Sequence, residues 1–503
     1  MNGVNGVGGP SPVSGHNPAP EAPPGFAPDR AMRLSAPEQA QMDALAARAA
    51  GGDAVAEAEL SRRAEGYHAR EMHRLASDVY NVDTGYRGED GARIAAPEGW
   101  TRAAGADLDD PAIRAAAEAR LAAYGLTVAD LNPEGQNGFR AELYIPDRAV
   151  LGEGAQPVLS FKGTTPTRAE DWATNLAQGV GAETEYYNRA MIAADRLNRV
   201  TDGGFEVTGH SLGGGLASAA SAVTGARATT FNPAGLHAET AARFLEGRGV
   251  APADAMATTT AYVVKGEILN ALPPAMAAMD PQNADAAVSL LQDGLGHAET
   301  VAGLAEKAEA LGARADRLSD SWLGRRVLGD DTRARIDDAV AQLRAVSGQA
   351  RRVADLTDAA GGLMTATGAD LRAMPPAAGR VVTMDAVNAD GTPRPPALGE
   401  NDPAAVTDAI EASVAEAGAI RRNVEDRFAT LDRRLGPVDD ALGLDLEGAG
   451  EDAGKAAAAL ALFRDLGGVS GGIGAGKSAV EAGMRHLNGP IADALDHHIH
   501  GAR

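Results

Sequence analysis

The sequence contains no cysteine in 503 residues. Disulfide bonds, thiolate metal sites and cysteine nucleophiles are therefore excluded. Basic residues are also scarce, because 46 Lys and Arg stand against 69 Asp and Glu, for a formal net charge of −23. This acidic balance argues against a nucleic-acid partner and against electrostatic attraction to anionic lipid. We therefore expect any contact with a membrane surface to be transient and apolar.

Long apolar runs are missing as well. The sequence has no uninterrupted stretch of about 18 apolar residues, so we expect no transmembrane helix. The N-terminus lacks the basic residues and apolar core of a Sec-type signal peptide. We expect the protein to be cytoplasmic in the producing cell or to leave it through a specialised secretion system. No residue cluster has the spacing of metal ligands, so we expect no metal and no other cofactor.

Strands alternate with helices between residues 138 and 270. Short apolar or alternating runs predict strands at 138–146, 157–161, 227–232 and 259–264, in addition to the strand that ends at Gly209. This alternation is typical of a parallel α/β sheet. After residue 274 the composition is helical over 280–372 and 403–465, with one more strand predicted from Val381 to Met384. The helical parts form a cap over the sheet, a separate bundle, or a solvated arm that binds a partner.

The sequence from Phe205 to Ala217 reads F-E-V-T-G-H-S-L-G-G-G-L-A. A β-branched run ends at Gly209, and a run of small residues suited to a helix follows Ser211. G-x-S-x-G in this context predicts a nucleophile elbow, in which a strained backbone lifts the serine hydroxyl above the sheet. Gly209 and Gly213 are needed because side chains there would collide across the turn. Ser211 is the candidate nucleophile.

A serine nucleophile needs a base and an orienting acid, which α/β-hydrolases supply in the chain order Ser, acid, His. His486 is the preferred base because it stands in a loop before a last helix that begins near Pro490. His210 is expected to point away from the elbow. The alternative bases are His297 and the group of His497, His498 and His500, which we otherwise interpret as a frayed terminus or a weak metal-binding tail.

Glu267 is the candidate acid because it lies just beyond the predicted strand 259–264. The alternative interpretation is a surface glutamate, with Asp280 and Asp285 as replacement acids. The oxyanion hole requires two backbone N–H groups. Leu212, which follows the nucleophile, and Thr164, in the F-K-G-T segment after an earlier strand, are the candidates.

Residues 471–478 (G-G-I-G-A-G-K-S) match the pattern of a P-loop. A working P-loop follows a buried strand and begins a helix within a sheet that also supplies a Mg²⁺ carboxylate. Here the preceding run is helical and only a short tail follows. We therefore interpret this segment as a glycine hinge that leads to the His486 loop.

Four motifs together resemble the class 3 (fungal-type) lipases. The elbow V-T-G-H-S-L-G-G-G-L-A is similar to theirs, and F-K-G-T (161–164) resembles their F-R-G-T oxyanion segment. The D-W…N residues Asp171, Trp172 and Asn175 and the segment T-F-N-P-A-G (230–235) also match. The closest resemblance is to bacterial lipase-like proteins, several of which are phospholipase toxins delivered by contact-dependent secretion. The resemblance covers roughly residues 70–275 and 480–497. The sequence departs from the family pattern in having Glu267 where an aspartate is usual.

The resemblance implies an α/β-hydrolase fold, with a mostly parallel sheet and large helical insertions. The predicted segments are a disordered N-terminus (1–35), a helical lead-in (36–72), the α/β-hydrolase core (73–279), a helical insertion or cap (280–372), a strand with a Pro-rich loop (373–400), a helical segment (401–470) and a C-terminal segment that returns the catalytic histidine (471–503).

The predicted function is hydrolysis of carboxylic esters of lipids by a phospholipase or lipase, with Ser211, His486 and Glu267 as the triad. A role as a secreted antibacterial or host-directed effector is compatible with the sequence, and so is a cytosolic enzyme. The expected partners are a lipid or phospholipid substrate and an immunity protein or chaperone. The alternatives are a soluble short-chain esterase and a non-catalytic helical interaction protein on a hydrolase scaffold.

Overall fold

The structure is a computed structural model, and it describes the residues 26, 29–134, 138–163, 177–297, 369–398, 400, 402, 404–435, 446–467 and 485–501. Several predictions fall outside these residues: Thr164, the D-W…N residues, most of the 280–372 insertion and the 471–478 glycine run. Ala31 and Met32 are buried, so ordered chain begins within the segment predicted to be disordered. In the described ranges, no helix combines the length and the apolarity needed to cross a bilayer.

A sheet of seven strands lies at the centre of the described part of the chain. In both chain order and spatial order, the strands are β1 (Trp100–Arg102), β2 (Ala141–Pro146), β3 (Val158–Phe161), β4 (Glu206–His210), β5 (Arg227–Phe231), β6 (Thr259–Val264) and β7 (Arg380–Met384). The pairs β1–β2 and β2–β3 are antiparallel, and every later pair from β3 to β7 is parallel. The prediction of a mostly parallel sheet is confirmed.

The helices of the described residues are α1 (Ala36–Ala50), α2 (Ala54–Asp78), α3 (Pro111–Ala122), α4 (Val128–Leu131), α5 (Arg148–Leu151), α6 (Glu185–Thr201), α7 (Leu212–Thr224), α8 (Ala238–Leu245), α9 (Ala255–Thr258), α10 (Ile268–Ala277), α11 (Pro281–Gly296), α12 (Ala404–Leu435), α13 (Leu446–Gly467) and α14 (Asn488–His500). Local sequence sets several starts. Ser35 and Glu38 form a capping box at the start of α1, and the Asp53 side chain accepts hydrogen bonds from two N–H groups of α2.

The two faces of the sheet bury different side chains because successive residues of a strand point in opposite directions. Leu159 packs into the cluster with α6 and α7, whereas its neighbour Val158 packs into the cluster with α2 and α14. Leu143 and Tyr144 divide between the same two clusters. The sheet is therefore covered by helices on both sides, as a parallel sheet requires.

A third apolar cluster joins α10, α11, α12 and α13, with Met276, Leu291, Val414 and Leu462 in its interior. These helices follow β6 and β7 in the chain. Helices α11 and α12 and nearly all of α13 lie in the segments whose composition predicts helix, whereas α10 precedes those segments. The role of this bundle as a cap over the sheet remains a prediction.

The carboxyl ends of parallel strands lie at the same edge of the sheet, where ligands bind in open α/β folds. Gly163 lies just beyond β3, and Ser211 follows β4 directly. Asn232 follows β5, and Glu267 lies three residues beyond the end of β6. The fold therefore gathers the residues of the elbow, the predicted oxyanion segment and the predicted acid at one edge.

Candidate active site

Ser211 lies in the tight turn between β4 and α7, with φ 60° and ψ −129°. A positive φ is rare for a non-glycine residue and stores strain, as the elbow motif predicts. Backbone hydrogen bonds to the end of β5 and the residues after it hold the turn. The Ser211 N–H donates to the Phe231 carbonyl at 3.0 Å. The Ser211 carbonyl in turn accepts from the Ala234 N–H at 3.0 Å. The candidate nucleophile is thus fixed between the ends of β4 and β5.

The glycines around Ser211 are required by close contacts. A Cβ on Gly209 would collide with the backbone of Gly213, and a Cβ on Gly213 would collide with the carbonyl of Phe161. The prediction that side chains there would collide is confirmed. The missing Cβ atoms let α7 begin directly against β3 and β4.

The structure brings the predicted base and acid together. His486 Nδ1 lies 2.6 Å from Glu267 Oε2, and both side chains are buried. Glu267 is also the N-cap of α10, since its carboxylate accepts from the N–H groups of Leu269 at 3.1 Å and Asn270 at 2.6 Å. Asn270 adds a side-chain hydrogen bond of 2.5 Å to the same carboxylate. The carboxylate is therefore immobilised on the helix while it faces the imidazole.

Ser211 Oγ and His486 Nε2 are both buried, and neither has a hydrogen-bond partner within the described residues. Buried polar atoms are normally paired, so an unpaired hydroxyl and an unpaired imidazole nitrogen at one edge of a sheet suggest a reactive site. They do not hydrogen-bond to each other in this structure. Catalytic hydrogen bonds are often long without substrate and tighten when it binds.

Arg485, which was not predicted from the sequence, has the largest fully buried side chain among the described residues. Its Nη1 donates to the Lys265 carbonyl at 2.6 Å and to Glu400 Oε2 at 2.8 Å, and its Nη2 donates to the Pro395 carbonyl. It also packs against Gly266, where a Cβ would lie 2.8 Å from Nη1. The turn before Glu267 and the loop of His486 are therefore joined by one guanidinium group.

Asn232 connects the same loop to the sheet. Its Nδ2 donates to the Arg485 carbonyl at 3.1 Å, and its Oδ1 accepts from the Val264 N–H at 2.9 Å. The only sequence signal for this residue is its position directly after the β5 run, in T-F-N-P-A-G.

The prediction that His210 points away from the elbow is wrong. His210 is buried, and its Nε2 lies 2.6 Å from the backbone carbonyl oxygen of His486. Its Nδ1 lies 2.9 Å from the Tyr80 hydroxyl oxygen. Burial holds the pKa of the His210 imidazole well below its usual value, and the neighbouring His486 lowers it further. The ring is therefore neutral near pH 7.

The residues predicted as alternative bases and acids make other contacts. His297 Nδ1 donates to the Asp293 carbonyl at the end of α11, at 2.7 Å. His500 ends the regular helix α14, where the neighbouring Ile499 is buried against Gly66, so the expectation of a frayed terminus is wrong. Asp280 caps α11 through the Gln282 N–H.

Of the predicted oxyanion donors, Leu212 is the first residue of α7, where backbone N–H groups have no partner within the helix. Thr164 is outside the described residues, whereas the adjacent Gly163 is among them. A Cβ on Gly163 would lie 3.2 Å from Ser211 Cβ and would collide with the Tyr80 hydroxyl. The loop after β3 therefore passes directly beside the candidate nucleophile, Ser211.

Comparison with known proteins agrees with this fold. The family model of the Tle-like phospholipase domain matches residues 71–322, which is half of the chain. The chain belongs to this phospholipase-like family. The extracellular phospholipase A1 of Serratia liquefaciens is similar to it, with 38% identity over 119 residues, which are 24% of this chain and 34% of that protein. The chain therefore matches about a third of the length of this relative. The expected resemblance to bacterial phospholipase-like proteins is confirmed.

Proposed function

We propose that this protein hydrolyses carboxylic ester bonds of phospholipids, with Ser211 as nucleophile, His486 as general base and Glu267 as the orienting acid. The observation that supports this most strongly is the buried 2.6 Å contact between His486 and Glu267 beside the strained elbow. Membership of the Tle-like phospholipase family and the similarity to an extracellular phospholipase A1 favour phospholipid as the substrate.

The chemistry proceeds in two halves. Ser211 Oγ attacks the ester carbonyl carbon while His486 Nε2 takes the hydroxyl proton. When the tetrahedral intermediate collapses, the ester bond to the lysophospholipid oxygen breaks and His486 returns the proton to that oxygen. A water molecule, deprotonated by His486, then attacks the acyl-serine ester. When this second tetrahedral intermediate collapses, the bond between the acyl carbon and Ser211 Oγ breaks, His486 returns the proton to Oγ, and the fatty acid leaves. Glu267 keeps the Nδ1 proton in place and stabilises the imidazolium in both halves.

The oxyanion of each tetrahedral intermediate accepts hydrogen bonds from the backbone N–H groups of Leu212 and Thr164. The N-terminus of α7 adds its partial positive charge to the same position. Loss of one such donor typically costs a factor of about 10² to 10³ in rate. Neither step calls for a metal, so a chelator is expected to leave the activity unchanged.

We further propose that the protein is an effector that acts outside the producing cell, with an immunity protein or chaperone as its partner there. The name of the Serratia relative, an extracellular phospholipase, supports action outside the cell. Expression of the chain directed to the periplasm of a test bacterium, beside the Ser211→Ala variant, tests this role. Growth arrest by the unaltered chain alone would support it, and equal growth of both strains would contradict it.

The activity itself is tested by fatty-acid release from phosphatidylethanolamine/phosphatidylglycerol vesicles by the purified full chain and by Ser211→Ala. We expect release by the unaltered protein and a decrease of at least about 10³-fold in the variant. Ser211-dependent cleavage of short-chain esters without vesicle hydrolysis would favour the soluble esterase instead. If neither substrate is cleaved, the non-catalytic interaction protein is the better description. Loss of activity in a chelator would contradict the metal-free mechanism.

A further inference from the structure

We propose that His210, the residue before the nucleophile, is a positioning residue that holds the backbone of the general base. Its ring Nε2–H donates to the carbonyl oxygen of His486, and the Tyr80 hydroxyl fixes the ring in the tautomer that can do so. The inference rests on the proposed function, because it takes His486 as the base.

The tautomer follows from the two ring contacts of His210. A carbonyl oxygen can only accept, so the 2.6 Å contact of Nε2 with the His486 carbonyl requires the proton on Nε2. Burial keeps the pKa of this imidazole well below its usual value, so the ring is neutral and Nδ1 is an acceptor. The Tyr80 hydroxyl, 2.9 Å from Nδ1, must then be the donor. The hydroxyl proton of Tyr80 is therefore directed to His210 in this arrangement.

The hydrogen bond from His210 to the His486 carbonyl links the residue next to the nucleophile directly to the backbone of the base. His210 and Ser211 are consecutive, so the strained turn that places Ser211 also places the donor to His486. The two imidazole rings are adjacent, with centroids 4.8 Å apart, and His210 is 4% exposed. A shift of the elbow would therefore carry the base loop with it.

A second clamp holds the preceding carbonyl. Asn232 Nδ2 donates to the Arg485 carbonyl at 3.1 Å. Two consecutive carbonyls, of Arg485 and His486, are thus held by the residues that end β4 and follow β5. Glu267 acts on the imidazole, whereas His210 and Asn232 act on the main chain that carries it. Orientation of the base therefore has a side-chain part and a backbone part.

Two variants of similar length separate the donor from the volume of the ring. His210→Gln keeps an N–H donor near the position of Nε2, and His210→Met removes it. We expect His210→Met to lower kcat on vesicles about 10- to 100-fold with KM changed less than about twofold, because a misplaced catalytic group costs turnover and not binding. We expect the kcat of His210→Gln to be at least about fivefold higher than that of His210→Met. His297→Met, at the C-cap of α11 with contacts to Asp293, Asp452 and Lys455, is the control and is expected to keep full activity.

A measurement on the unaltered chain tests the contact without any change in the site. In ¹⁵N-histidine spectra of the full chain, the His210 signals, assigned by their loss in His210→Gln, should show a neutral Nε2–H ring from pH 8 down to pH 6.5. An Nδ1–H ring, or titration of His210 near pH 6.5, would overturn the inference even if His210→Met does not fold.

Kinetic measurements on the variants test the positioning role of His210. Wild-type kcat in a folded His210→Met variant, or equal losses in the Met and Gln variants at equal thermal stability, would overturn the positioning role. Failure of the proposed function is distinguishable, because the unaltered chain would then release no more fatty acid than Ser211→Ala.

Discussion

The His486 imidazole and the Glu267 carboxylate are in contact at 2.6 Å although 219 residues separate them in the chain. The same carboxylate caps α10, with Oε1 on the Asn270 N–H and Oε2 near the Leu269 N–H. One buried acid therefore begins a helix and orients the candidate base. This double use keeps the acid rigid, because the helix that it caps also fixes its position.

Replacement of Glu267 by Gln should separate these two roles. The amide oxygen, at the position of Oε1, can still accept from the Asn270 N–H, and only the Leu269 N–H loses its acceptor, so we expect the fold to survive. The amide N–H₂ would donate to His486 Nδ1 and force the proton onto Nε2, which then cannot accept the Ser211 proton. We expect kcat for ester hydrolysis to fall by about 10³- to 10⁴-fold.

The matched control for this substitution is Asp280→Asn, at the N-cap of the next helix, α11. It should change the activity less than about twofold, since its carboxylate caps the start of α11 and its loss costs at most a capping interaction of ~1 kcal/mol. Activity of Glu267→Gln within tenfold of the unaltered protein would argue against Glu267 as the orienting acid.

Strain at Ser211 should appear as a stability difference between two inactive variants. Ser211→Ala keeps a Cβ at φ 60°, whereas Ser211→Gly removes it. Relief of a strained backbone is worth about 1–3 kcal/mol, and the greater freedom of glycine in the unfolded chain takes back about 0.4–1 kcal/mol. We expect urea unfolding to show Ser211→Gly as more stable than Ser211→Ala by roughly 1 kcal/mol. Equal stabilities would mean that the turn is unstrained.

Two glycine-to-alanine substitutions in helices should have opposite effects. Gly213, near the start of α7, lies against the Phe161 carbonyl, so Gly213→Ala must displace the helix or β3. We expect a loss of about 2–3 kcal/mol in the free energy of unfolding, together with loss of hydrolysis. Gly489, in the first turn of α14, has open space around it, and Gly489→Ala should stabilise by up to about 1 kcal/mol. Similar effects of the two substitutions in thermal unfolding would contradict the predicted close packing.

Stability should fall as the pH is lowered toward 4, because His73 is buried as a neutral ring. Burial lowers the pKa of His73 to about 4, so between about pH 6.5 and 4 the unfolded chain binds more protons than the folded chain. The free energy of unfolding therefore decreases over this window, by up to about 3 kcal/mol from His73. His210 contributes in the same direction.

The His73 contribution can be isolated with His73→Gln, which removes the titrating group from α2. Unfolding in urea at several pH values from 7.5 to 4.5 should show a smaller pH dependence in this variant. Buried carboxylates whose pKa is lowered, such as that of Glu206, stabilise the folded chain while they are charged, and they lose this contribution only when the pH falls below the usual carboxyl pKa. They therefore affect stability at a lower pH than His73 does. An unchanged slope between pH 7 and 5 would show that His73 is not the source.

Much of the site was predictable because its signals are local in sequence. The β-branched run before Gly209, the small residues after Ser211 and the close glycines specify a strand, a strained turn and a helix within thirteen residues. Strand periodicity likewise predicted β6 at Thr259–Val264, and with it the position of Glu267 just beyond a strand end. These elements depend on side-chain alternation and backbone sterics, which a short stretch of sequence already contains.

The partners of those elements were decided by the tertiary structure. The sequence determined a nucleophile elbow, a mostly parallel α/β sheet and a short set of candidate bases and acids. Only the folded chain placed His486 against Glu267, turned His210 toward the base loop and buried Arg485 between that loop and the turn at Gly266. Each of these contacts joins residues far apart in the chain. Their pairing depends on how helices and loops pack on the sheet, and no periodicity within a single segment records it.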